Sequence, residues 1–150
     1  MDGTKQQIGL RLAQRLMARR GHFTIQQFTD EAERIEGFIT DDHSTCERRW
    51  HEQWCRMMLW SLQVQIDGNV CRLLPSLRAM IGRKVRWIWT SAETVAKTPE
   101  YLKQLEDRGQ LRMDNLDRKL AYWGLPPDSI VALHRRAIDK YMGVEEERAA

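Results

Sequence analysis

The stretch 44–60, STCERRWHEQWCRMMLW, gathers three tryptophans, two cysteines, one histidine, three arginines and two glutamates. These residue types support three chemistries. Arginine pairs with guanine edges, glutamine with adenine, and glutamate accepts from cytosine, so Arg48, Arg49, Glu52, Gln53 and Arg56 could read DNA. His43, Cys46, His51 and Cys55 could ligate a metal. Trp50, Trp54 and Trp60 are most simply core, with stacking on unpaired bases the alternative.

The metal reading is the weaker one. His51 and Cys55 stand four apart on one helix turn, but a zinc site needs about four ligands, usually in paired knuckles. No C-x-x-C occurs, and enclosing one ion with all four candidates would require the helix start to fold back. No metal or other cofactor is expected. An enzyme is not expected either, since the chain lacks a glycine-rich phosphate loop, a nucleophile elbow and a carboxylate pair in a supporting context.

The elements that must position this stretch are legible as hydrophobic periods. Residues 6–20 form a helix with Ile8, Leu10, Leu12, Ala13, Leu16 and Met17 on one face and Arg11, Arg15 and Arg19 on another. Gly21 stands where a C-cap glycine belongs. Residues 24–35 form a second helix, with Thr24 and Gln27 at capping-box spacing and Gly37 after it. Ser44 and Glu47 have the same spacing and predict a helix of four to five turns over 44–60. Its core stripe is expected to be Trp50, Trp54, Met57, Met58 and Ser61, with Leu59 and Leu62 beside them. Thr45, Arg48, Arg49, Glu52, Gln53 and Arg56 would then be its polar face. Glu52 lies i,i+4 from both Arg48 and Arg56, so intrahelical ion pairs could also account for those three charges.

The period then changes from 3.6 to 2. Leu62, Val64 and Ile66 alternate with glutamines, DGN at 67–69 marks a turn, and Val70–Leu74 returns. RKVRWIW alternates again, with Val85, Trp87 and Trp89 on one side and Arg86 and Ile88 on the other. Two or three short antiparallel strands are expected over 62–90, with 75–82 either a helical turn or a wing tip. From 91 on the pattern is helical. Thr98 and Pro99 begin a helix that Gly109 can end. Residues 114–123 and the segment up to Gly143 supply two more. The last carries a stripe of Ile130, Leu133, Ala137, Ile138 and Tyr141. Residues 144–150 read as a frayed tail.

Charge divides along the chain. Residues 1–90 carry 14 basic and 10 acidic residues, and 12 of the basic ones are arginine. Residues 91–150 carry 10 basic and 11 acidic. The arginine excess favours a phosphate-facing surface on the first part. No apolar run reaches the roughly 18 residues of a membrane span, and the start lacks a signal-peptide stretch. A cytoplasmic location is therefore expected. The odd cysteine number (Cys46, Cys55, Cys71) is not a disulfide framework.

The layout resembles the CaiF/GrlA type of enterobacterial transcriptional regulators. An opening helix, IGLRLAQRLMARRGHFT, runs into a helix pair and then into alternating strands ending in GRKVRWIWTSAE. The resemblance covers roughly residues 6–93. It implies a bacterial transcription factor with a helix-turn-helix domain near its start.

The sequence thus predicts a mainly α protein with a small antiparallel β element. A winged helix-turn-helix would span 5–93, followed by a helical region over 98–143 that docks on it, forms a homodimer or takes a protein partner. Double-stranded DNA is the expected ligand. Arg48, Arg49, Gln53 and Arg56 are the candidate groove contacts, and Arg83, Lys84 and Arg86 the candidate backbone contacts from the wing. The competing class is an interaction adaptor or anti-regulator with no nucleic-acid role, presenting tryptophans to a protein.

Overall fold

The computed structural model describes residues 3–40, 47–114 and 125–143. The Ser44–Glu47 capping box, His43, Cys46, the 114–123 helix beyond Asp114 and the 144–150 tail fall outside the described residues. Six helices and five strands are present among the described residues: α1 (Gly3–Arg20), β1 (His22–Thr24), α2 (Ile25–Glu33), α3 (Glu47–Ser61), β2 (Gln63–Ile66), β3 (Asn69–Arg72), β4 (Ser76–Ile81), β5 (Lys84–Thr90), α4 (Ala92–Lys97), α5 (Pro99–Asp114) and α6 (Pro127–Tyr141). The chain is mainly helical with small antiparallel sheets.

Two compact units divide the chain, and the division is not the one expected. Unit 1 is Met1–Leu62 with Ser76–Thr90, and unit 2 is Gln63–Pro75 with Ser91–Ala150. Residues 63–75 therefore leave the expected 5–93 domain and join the C-terminal helices.

In unit 1, α1, α2 and α3 pack on one another. Gly9 lets α1 and α3 approach closely, since a Cβ there would stand 3.0 Å from Met58 Sδ and 3.6 Å from Phe38 Cζ. The capping box at α2 forms as spaced. Thr24 Oγ1 accepts from the Gln27 backbone N–H at 3.3 Å, and Gln27 Oε1 accepts from the Thr24 N–H at 2.9 Å. These two bonds satisfy donors that would otherwise be orphaned at the helix start. Strand β1 has no signal of its own; its three residues follow Gly21 and end on the cap residue Thr24. It joins a three-stranded antiparallel sheet of order β1-β5-β4, and Phe23, facing Trp89, stacks on both Trp89 and Phe28.

Residues 76–81, which the sequence left between a helical turn and a wing tip, are a strand paired along its whole length with β5. Gly82 (φ 64) and Arg83 make the two-residue turn. A glycine with positive φ at the first turn position suits the right-handed twist of a hairpin. Both faces of β5 are buried at Ile88 and Trp89, whereas Lys84 to Trp87 are exposed on both faces. The hairpin therefore runs out of the core into solvent.

In unit 2, β2 and β3 form a hairpin whose turn residues Asp67 (φ 52) and Gly68 (φ 80) both have positive φ, as a type I′ turn requires. Helix α6 packs on this hairpin and on α4. Ile130, His134 and Ala137 form its buried stripe, with Leu133, Ile138 and Tyr141 half-buried. Its cover is the β2–β3 hairpin, expected within the 5–93 domain, together with α4. Helix α5 runs through Gly109, which does not end it. A single helical glycine costs only about 1 kcal/mol, which packing can offset.

Candidate nucleic-acid interface

Helix α3 sets the geometry. Its buried residues are Cys55, Met58 and Leu59, continued by Leu62, a stripe at i, i+3, i+4 and i+7. The stripe expected from the sequence is rotated relative to this one. Trp50 is 40 % exposed, Met57 52 % and Trp60 49 %. The assignment of Trp50, Met57 and Trp60 to the core is therefore corrected. Trp54 is half-buried and meets Phe38 edge-on with centroids 5.0 Å apart, while Lys5 Nζ lies 6.0 Å from its ring centroid. Met58 belongs to both stripes, and Leu59 and Leu62 flank the expected one; Cys55 is the buried residue that the expected stripe omits.

Polar contacts accompany the rotation. Arg48 sits toward α2 and is held there. Its guanidinium pairs with Asp30 at 2.8 Å and with Glu33, donates to the Gln26 carbonyl at 3.0 Å, and meets Glu52 on its own helix at 3.2 Å. His51, on the same side, lies 3.6 Å from both Glu33 and Glu47. That separation exceeds hydrogen-bond length, and the buried Nδ1 has no hydrogen-bond partner. Of the expected groove contacts, Arg48 is thus engaged between helices. Arg49 and Gln53 are exposed, and Arg56 is half-exposed with a loose 3.9 Å pairing to Glu52. At 100° per residue, Arg49, Gln53 and Arg56 share the outward face with Trp50, Met57 and Trp60. Glu52 is the only carboxylate between residues 48 and 61, and its side chain is turned to the two arginines at 19 % exposure.

The β4–β5 hairpin presents the second basic group. Arg83 is at the turn, and Lys84 and Arg86 follow on one face of β5; all three are exposed. The opposite face carries Met80 paired with Val85, each 63 % exposed, and Arg78 over the Trp87 ring at 5.0 Å. The arginines expected along α1 (Arg11, Arg15, Arg19) are exposed too.

The cysteines offer no open ligand set among the described residues. Cys55 and Cys71 are buried, and burial pushes the Cys55 thiol up to about 11. A thiol held protonated is a poor ligand and a poor nucleophile. No group of three or more His, Cys, Asp or Glu side chains among the described residues could hold a metal ion. No helix among the described residues is long and apolar enough to cross a membrane.

No protein-family model, curated protein or solved structure matches the chain.

Proposed function

We propose that unit 1 is a winged helix-turn-helix that binds double-stranded DNA in a sequence-specific manner, and that the protein is a transcriptional regulator. The observation that carries this reading is the order α1-β1-α2-α3-β4-β5 with the sheet order β1-β5-β4 in one unit. In that architecture the third helix enters the major groove and the hairpin touches the backbone. The exposed side chains suit both tasks. Arg49, Gln53 and Arg56 would read base edges from α3, and Arg83, Lys84 and Arg86 would meet phosphates from the hairpin. Arg48 would act by fixing α3 against α2, the pair whose angle sets how the reading helix is presented. The resemblance of the sequence layout to CaiF/GrlA-type regulators implies the same reading.

A selection of random-sequence duplexes by the full chain, followed by sequencing, tests it. A recovered motif, bound with an affinity that falls steeply as salt rises, is expected, because each phosphate contact releases counterions. Folded protein that retains no duplex at low salt overturns the proposal.

A second reading has its own observation. Met57, Trp60, Met80 and Val85 expose large apolar side chains on unit 1, as a surface for a protein partner would. In that case binding to the partner would survive high salt. A homodimer stays a proposal. With α6 covered inside unit 2, its stripe no longer requires a second copy.

A further inference from the structure

The outward face of α3 is half apolar, which is unusual for a helix lying among phosphates and polar base edges. Trp60 and Met57 are exposed at 49 % and 52 %. They follow Arg49, Gln53 and Arg56 toward the C-terminal end of the same face, and no carboxylate competes there. The basic stretch fits a polyanion. The apolar pair beside it then needs an apolar surface inside that polyanion, and the major groove offers only one, the C5-methyl of thymine.

We infer that Met57 and Trp60 contact thymine methyl groups, so that the preferred target is a duplex with thymines at neighbouring steps under the middle and end of α3. This inference rests on the DNA-binding reading of unit 1. The spacing agrees with it. Residues three apart on a helix rise about 4.5 Å, near the ~3.4 Å step between bases of one strand. Two side chains on one face therefore meet methyls on adjacent or next-adjacent steps. The arginines that precede them take guanine edges or phosphates, so guanine-containing steps lie under the earlier part of the helix and the thymines under its end.

Uracil tests this directly, because deoxyuridine lacks the methyl and keeps every hydrogen-bonding group. The probe is the duplex recovered by selection, compared with copies in which each thymine in turn is replaced by deoxyuridine. Loss of one contacted methyl is expected to weaken binding by about fourfold, which corresponds to about 0.8 kcal/mol for a buried CH2-sized group. That loss is expected at two or more neighbouring positions. In Met57→Ala or Trp60→Ala, the penalty for deoxyuridine at the matching position is expected to vanish. Both side chains are half in solvent, so the variants fold, as an unchanged melting temperature would verify.

If the selected duplex binds but deoxyuridine is tolerated at every position, this inference fails and the DNA-binding reading stands. If the variants weaken thymine and uracil duplexes equally, the two residues do not touch the methyls, and the inference fails likewise. If no duplex is bound at all, both readings fall, and a protein partner for this face becomes the alternative.

Discussion

Arg48 on α3 reaches back to Glu33 on α2, and the same guanidinium also meets Asp30, Glu52 and the Gln26 carbonyl. An arginine that looked like a reading residue is the tie between the two helices. Exposed ion pairs contribute little one by one, but a shared cation also separates three carboxylates that would otherwise face one another. Arg48→Ala is therefore expected to lower stability by about 1–2 kcal/mol, with a melting transition that shifts down and regains part of the loss in high salt. An unchanged melt at low salt would show that the network contributes nothing.

Arg49, one residue on, should behave in the opposite way. It is exposed and lies on the outward face. Arg49→Ala is expected to keep the wild-type melting temperature and to weaken binding to a selected duplex by about 1–3 kcal/mol. Equal affinities would remove Arg49 from the reading face.

The hairpin residues should act without regard to sequence. Arg83→Ala and Arg86→Ala are each expected to weaken selected and random duplexes alike. Each should also reduce the slope of log affinity against log salt by about 0.9. A slope that does not change would mean that the hairpin stays clear of the phosphates.

The tryptophans of α3 divide by burial. Trp54, packed edge-on against Phe38, is half-buried. Trp54→Ala is expected to cost about 2–3 kcal/mol, below the range for a fully buried aromatic. Trp60→Ala, at a site 49 % exposed, should leave stability within about 0.5 kcal/mol. Denaturant unfolding of the two variants checks the contrast, and equal losses would contradict the orientation of α3.

Unit 2 should respond to mild acid through His134. Its Nε2–H donates to the Leu73 carbonyl, and its buried Nδ1 has no partner. Burial lowers its pKa below the usual 6.5, although the Leu73 bond and Glu93 oppose the shift. The folded state therefore binds this proton less readily than the unfolded chain. Its stability is full above the unfolded pKa and declines as pH falls from about 6.5 toward the lower folded value. Unfolding of His134→Gln, whose amide can still donate to Leu73, is expected to lose the pH dependence in that window. A variant with the wild-type slope would assign the dependence elsewhere.

Much of the framework was determined by local rules that the sequence states by itself. The Thr24–Gln27 capping box, the Asp67–Gly68 turn, Pro99 at the start of α5 and the alternation of Val85, Trp87 and Trp89 each depend on a few adjacent residues, and each is formed as spaced. The rest required partners distant in the chain. Strand β1 exists because β5 lies beside it, with Thr90 Oγ1 also donating to the Gly21 carbonyl. The hairpin over 63–72 joins the C-terminal helices because α6, some 60 residues later, brings an apolar face to cover it. The rotation of α3 was the hardest to foresee. A helix with apolar residues nearly all round can bury either of two stripes, and hydrophobicity alone favoured the tryptophans. The stripe that is buried is Cys55, Met58, Leu59 and Leu62; with it inward, Arg48 meets the carboxylates of α2, and Trp60 and Met57 face outward.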